Sequence, residues 1–189
     1  MINPTLKLLL NRRSAVAANM SEPGPTSEEL QLILKAGIRV PDHGKLAPWR
    51  IKVLHKSGQQ KLGKLFVEIH QKNNPDTNPT ELEKEQIRPQ RAPVLLVVAS
   101  FLQTECKIPL SEQRLSGGAV CQNILTAAHS LGYVGQWLTE WPAYDPDVKQ
   151  ALGFGDQEEI IGFLYLGTAK EPPKPRKRAN LEDVMELWE

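Results

Sequence analysis

Residues 122–137 read Gln-Asn-Ile-Leu-Thr-Ala-Ala-His-Ser-Leu-Gly-Tyr-Val-Gly-Gln-Trp. This is the end of an apolar helix, a glycine stop at Gly132, and a strand that starts at once. A glycine just past a helical pattern supplies the left-handed residue that terminates the helix. The helix predicted over 111–131 begins near Ser116-Gly117-Gly118-Ala119. Small residues there let a backbone, a partner helix or a flat ring approach closely. Close packing against a sheet is the plainer reading. The stretch by itself says that a core helix is pressed against something flat.

Other elements follow outward from it. Pro93 to Phe101 is a continuous apolar run, rich in β-branched residues, and predicts a central strand buried on both faces. Glu159 to Leu166 predicts another buried strand, and Trp49 to His55 alternates weakly as a third. Thr26-Ser27-Glu28-Glu29 is a capping box, and the helix it opens must end before Pro41. Pro4 to Asn11 and Gln59 to Gln71 have helical spacing, and Asp145-Pro146 opens a short helix that stops at Gly153. Asn78-Pro79 caps a charged helix over 80–87 with almost no apolar face, which predicts a surface lid. Arg12 to Pro25 predicts a loop. A Pro- and Lys-rich tail over 171–178 runs to a short amphipathic end. There is no internal repeat and no domain linker, so the 189 residues predict one layered domain of helices and strands over 1–189, with 170–189 as an extension.

Composition narrows the function. The chain is 40% hydrophobic and 24% charged, ordinary for a globular protein, and its net charge of +1 gives no overall field toward nucleic acid or membrane. No run of eighteen apolar residues predicts a membrane span. The short apolar start is followed, not preceded, by Arg12-Arg13, so no signal peptide is read and the cytoplasm is the expected location. Two cysteines, Cys106 and Cys121, form no CxxC pair, and the four histidines lack ligand spacing, so no disulfide framework or metal site is expected.

Three stretches can carry chemistry. Arg12-Arg13-Ser14 offers two planar forks of donors and a hydroxyl, suited to phosphate oxygens. The competing reading is a solvated helix end whose cations complement the dipole. Lys174-Pro175-Arg176-Lys177-Arg178 is a second basic cluster, and two such clusters that converge hold one phosphate. The loop Pro41 to Trp49 presents Asp42, His43 and Lys45 between two prolines, and functional residues favour rigidly held loops. No Gly-x-Ser-x-Gly elbow, Gly-x-Gly-x-x-Gly or Walker A motif is present. A nucleotide-like cofactor would therefore rest on arginine and serine rather than on a glycine loop.

Together these segments resemble the nitroreductase family of FMN-dependent oxidoreductases. The resemblance runs through Arg12-Arg13-Ser14, Arg39-Val-Pro-Asp-His43 with Ala-Pro-Trp49, the helix Gln122 to Gly132, and Phe163-Leu-Tyr-Leu-Gly167 followed by the basic tail. Any one motif is weak, whereas four in the right order are specific. The resemblance implies an α+β fold: a three-layer α/β/α sandwich with a mostly antiparallel central sheet. It also implies a homodimer whose C-terminal segment reaches the partner, with FMN at the interface.

Carried over residue by residue, the resemblance gives Arg12, Arg13 and Ser14 to the flavin phosphate and ribityl chain. It gives Arg39 and His43 to the partner's flavin. Trp137, Leu138 and Thr139 would run beside the isoalloxazine, and Arg178, or else Arg176, would complete the phosphate site. The chain departs from the family at Ala15-Val16-Ala17, where another arginine is common, and at Lys45 and Ala47, where Asn and Gln are common. The implied reaction is ping-pong: NADH or NADPH passes hydride to the flavin, and a nitroaromatic, quinone or similar flat acceptor then takes it. No side chain is expected to be an indispensable acid or base. The alternatives are the same fold with a different flavin reaction, such as dehalogenation or flavin breakdown, and a non-catalytic protein that binds nucleic acid through 174–178.

Overall fold

The computed structural model describes residues 2–189. Its centre is a five-stranded sheet in which every pairing is antiparallel. The strands are β1 (Met20–Ser21), β2 (Trp49–Leu54), β3 (Val94–Phe101), β4 (Val134–Leu138) and β5 (Glu158–Ala169). The path runs β1-β5-β3-β2, and β4 also pairs with β5. The long β5 therefore holds β3 along one edge and β4 along the other, while β1 pairs with its last two residues, Thr168 and Ala169. The two-residue β1 lies within the segment expected to be a loop; it is too short to leave a periodic signal.

Side-chain alternation on β3 builds two cores. Leu95, Val97 and Ala99 face one layer, with Leu62, Phe66 and Ile69 of α3 (Lys56–Asn73) and Val148 of α6 (Pro146–Ala151). Val94, Leu96 and Val98 face the other. There they meet Leu30 and Ile33 of α2 (Ser27–Gly37) and Val120, Ile124 and Ala128 of α5 (Leu110–Ser130). With apolar helices on both faces, the continuous apolar run of β3 is what the sheet requires. The three-layer α/β/α sandwich with an antiparallel sheet is thus as expected. Cys121 is fully buried in the second core, where burial pushes its thiol up to about 12, so it remains a protonated packing residue.

The opening stretch folds as read. α5 ends at Ser130, and Gly132 takes φ +88°. The Gly132 N–H donates to His129 O at 3.1 Å and the Tyr133 N–H to Ala128 O at 3.0 Å. This pair of bonds closes the helix and turns the chain directly into β4. Close approach at the next glycine fixes how tightly: a Cβ on Gly135 would stand 2.5 Å from Leu125 Cδ2. The capping box of α2 is also complete. Thr26 N–H donates to Glu29 Oε2 at 2.9 Å and Glu29 N–H to Thr26 Oγ1 at 3.2 Å.

α4 (Pro79–Ile87) differs from the lid predicted for it. It packs on α3, and its one buried residue is Glu85. The Glu85 carboxylate bonds Arg88 Nε at 2.7 Å and accepts the Trp141 indole N–H at 2.9 Å. A charged side chain can anchor a helix when its partners are buried with it, which hydrophobic patterning does not register. Gly63 of α3 makes the contact possible, because a Cβ there would lie 2.2 Å from Gln86 O. Gly63→Ala is therefore expected to force the two helices apart and destabilise the fold by ~1–3 kcal/mol, read as a lowered midpoint in thermal or urea unfolding.

α1 (Pro4–Asn11) buries none of its residues, and Leu10 is 74% exposed. At the other end Leu181, Val184, Leu187 and Trp188 are also exposed, Trp188 at 98%. Apolar side chains are thus exposed at both termini. No helix among the described residues is long and apolar enough to cross a membrane.

Candidate functional site

The turn after α1 carries Arg12, Arg13 and Ser14 to the mouth of the sheet, where the tail returns alongside them. Arg13 Nε donates to Lys174 O at 3.0 Å, across 161 residues of sequence. Arg13, Ser14, Lys174 and Arg176 line one cleft of about 600 Å³. Burial, and then the nearby charges of Arg178, Arg176 and Arg12, hold Arg13 below its ordinary arginine value. Four guanidinium groups thus repel one another in one place. No carboxylate forms an ion pair with any of them among the described residues. Arg12 Nη1 is buried without a hydrogen-bond partner. An unpaired cationic cluster with an orphaned donor is the donor set that a phosphate needs.

Gln136 of β4 joins this loop. Its Oε1 accepts the Ala17 N–H at 2.6 Å, which fixes the turn beyond Ser14 against the strand. Gln136 was not singled out from sequence, although alternation along β4 sets it on the face opposite Gly135 and Trp137. Leu138 packs on the same side as Ala15 and Ala17.

Trp137 belongs to the other face. Its indole N–H donates to Ile161 O at 3.1 Å, and its ring lies against Gly118 and Gly162. Glycine at 118 and 162 thus serves a tryptophan rather than a partner helix. Thr139 is half-buried at the end of β4. The next residue, Glu140, has φ +47° and is pinned by Arg91 Nη1 at 3.1 Å and Arg88 Nη1 at 2.6 Å. A non-glycine residue held at positive φ by two arginines marks a backbone whose shape is imposed by its surroundings. Sequence reading missed it because the ion pairs join segments about fifty residues apart.

Arg39 and His43 are not brought to this cleft within one chain. Arg39 is exposed beyond α2, where its carbonyl accepts from Asn123 Nδ2 at 2.9 Å. His43 lies in the loop before β2, with Nδ1 2.8 Å from Glu112 Oε2. The structure therefore gathers Arg13, Ser14 and Arg176 in one cleft, sets Arg12 and Arg178 near enough for their charges to act on Arg13, with Arg12 lining a neighbouring cleft beside His129, and leaves Arg39 and His43 on separate surface. His129 borders the cluster from α5. Its Nε2 is buried without a partner, and burial together with Arg12 keeps its imidazole below the ordinary histidine value.

Fold and site together define an α+β protein with a basic cleft where the first turn meets the tail. Residues 10–168 match the nitroreductase family, and the chain belongs to it. Among curated relatives it is 36% identical over 163 residues to "Putative NAD(P)H nitroreductase YdjA" of Escherichia coli strain K12, covering 86% of this chain and 87% of that one. Among solved structures it resembles a nitroreductase-like family protein from Bacillus cereus, with TM-score 0.83, 21% identity and coverage of 100% and 98%. It also resembles a nitroreductase, named as putative, from Desulfovibrio desulfuricans in complex with FMN, with TM-score 0.77, 21% identity and coverage of 99% and 98%.

Proposed function

We propose that the chain is a homodimeric, FMN-dependent NAD(P)H oxidoreductase that reduces nitroaromatics, quinones or similar flat acceptors. The observation that carries this reading is the cluster of Arg12, Arg13, Arg176 and Arg178, which no carboxylate pairs among the described residues. Family membership, a relative named for NAD(P)H and a fold neighbour holding FMN point the same way. Bound FMN would supply hydride acceptance and donation, which no side chain can.

The chain's own residues do the rest. Arg12, Arg13 and Ser14, with Arg178 and Arg176, hold the phosphate. Leu138 and Thr139 line the ring's side of β4. Arg39 and His43 act on the flavin of the partner subunit, which accounts for their distance from the cleft in one chain. Residues 1–189 act as one unit, and the 170–189 extension covers apolar surface on the partner. The cytoplasm, where NAD(P)H is supplied, is the fitting compartment.

The purified protein should be yellow, run as a dimer in analytical ultracentrifugation, and bleach on addition of NADPH without oxygen. A colourless protein that takes up no added FMN would sink the reading.

A further inference from the structure

The neighbouring cleft, of about 400 Å³, lies where α1 meets the last turn of α5. Lys7, Asn11, Arg12 and His129 line it, with Pro4 and Leu8. Two of these residues hold a buried polar atom with no hydrogen-bond partner, Arg12 Nη1 and His129 Nε2. Such atoms cost free energy, and a pair of them in one cleft calls for a reason.

No carboxylate answers them. Among the described residues no ion pair includes Lys7, Arg12 or His129. α2 and β4 also pack on α5, but Glu29 of α2 is spent on the Thr26 N–H and on the Tyr133 hydroxyl. The charged side chains lining the cleft are Lys7 and Arg12, both cationic. His129 is the member of this set whose charge changes near neutral pH. Burial, and then Arg12, keep its imidazole below the ordinary histidine value. The Tyr133 backbone and the C-terminal end of α5 favour the charged ring but do not prevail. The anion-free protein therefore holds His129 neutral near pH 7.

The Arg12 charge acts in two directions, on His129 and on Arg13 in the cleft beside the tail. Arg12 thus links the two clefts electrically. An anion that neutralises the arginine cluster removes the opposition to charge on His129 and adds an attraction of its own.

We propose that His129 is a further residue of the phosphate site. It is neutral in the anion-free protein, takes one proton from solvent when a phosphate monoester dianion binds the arginine cluster, and then adds its positive charge to the hold on that phosphate. The inference rests on the phosphate reading of the cluster and goes beyond it by naming the residue and the proton. The sign follows from linkage. The bound protein carries more protons than the free one, so affinity rises as pH falls from the bound midpoint of His129 to its free midpoint. Protonation of the phosphate itself, at about pH 6, ends the gain.

The wild-type chain tests this directly. The midpoint of His129 is read from nitrogen–proton correlation NMR of its ring, the resonance being the one missing in His129→Gln. The apoprotein is titrated alone and then with saturating FMN, inorganic phosphate or riboflavin, which carries the flavin ring without the phosphate. FMN and inorganic phosphate should each raise the midpoint by about one unit, and riboflavin should leave it in place. One unit corresponds to an about tenfold gain in FMN affinity across the window, read by flavin fluorescence quenching. His129→Gln, which cannot take the charge, should bind FMN without that gain. Calorimetry in two buffers of different ionisation enthalpy should show proton uptake on FMN binding by wild type and none by the variant.

An FMN-loaded protein whose His129 midpoint has not moved, or a His129→Gln variant that keeps the pH dependence, would overturn the proposal and leave the flavin reading intact. A midpoint raised equally by riboflavin would overturn it too, since the ring and not the phosphate would then drive the proton. A midpoint raised by inorganic phosphate in a protein that takes up no FMN would sustain the proposal and sink the flavin reading. A protein that binds neither FMN nor phosphate would overturn both.

Discussion

Arg12→Ala combined with Ser14→Ala is expected to lower FMN affinity by about 10²–10³-fold, because a hydrogen bond to a charged group is worth ~1.5–3 kcal/mol and a hydroxyl bond ~1 kcal/mol. Titrating FMN into the apoprotein, followed by the quenching of flavin fluorescence, gives the number directly. Unchanged retention would show that the phosphate binds elsewhere. The same cluster predicts a second, opposite effect. Arg13 is held below its ordinary value by burial and by Arg178, Arg176 and Arg12, so the free protein stores repulsion that only an anion relieves. Arg13→Ala should therefore leave the apoprotein no less stable than wild type in thermal unfolding, while weakening its stabilisation by added FMN. A residue kept for folding would show the reverse. Binding should also weaken with salt, since these guanidinium groups are only partly buried.

What the sequence revealed follows from the range of the interactions involved. The α5–β4 corner was legible because Gly132 is a local signal, and both closing bonds span fewer than six residues. The capping box at Thr26 was legible for the same reason. The β3 run was legible because a strand covered on two faces needs no polar residue. Donor chemistry let two basic clusters near opposite ends of the chain be read as one phosphate site if they converge, but only the family resemblance implied that they do. Their meeting depends on β5 returning the tail beside the first turn, and the Arg13–Lys174 bond records that meeting. Gln136, Glu112 and Glu140 were not legible. Each is an ordinary polar residue in its own segment and gains its role from a partner at least forty-nine positions away. The anchoring of α4 on α3 was not legible because its buried contact, at Glu85, is ionic. The resemblance gave Trp137, Leu138 and Thr139 together to the isoalloxazine; alternation along β4 turns the Trp137 indole toward Ile161 O and Gly118, and places Gln136 and Leu138 on the opposite face with Ala15 and Ala17.

Arg88→Met should be strongly destabilising. Arg88 bridges Glu85 and Glu140, and the Arg88 and Glu85 side chains are 13% and 8% exposed. Removing one partner of a buried pair leaves the other charge uncompensated, which costs ~3–5 kcal/mol. For a chain of this length that is a fall of roughly 6–20 °C in Tm. The exposed pair Lys72–Asp147 provides the contrast: Lys72→Ala should cost ~1 kcal/mol or less. The pH dependence separates charge from packing. Burial pushes the Glu85 carboxyl up, but hydrogen bonds from Arg88 and Trp141 outweigh it and hold the group below its ordinary value. A carboxyl depressed on folding stabilises the protein above its ordinary value of 4.5, and the contribution fades as pH falls through the folded value. In Arg88→Met the Arg88 bonds and charge no longer oppose burial, leaving chiefly the Trp141 bond, so the carboxyl moves up, and the variant takes up its proton at higher pH and is relieved by doing so. The stability gap between wild type and variant should therefore be widest near neutral pH and shrink as pH drops toward 4.5 and below. A gap independent of pH would assign the loss to packing alone. Because Glu140 directly follows Thr139, the same substitution should also loosen the end of β4, and with it Leu138 and Thr139, the residues proposed to lie beside the flavin ring.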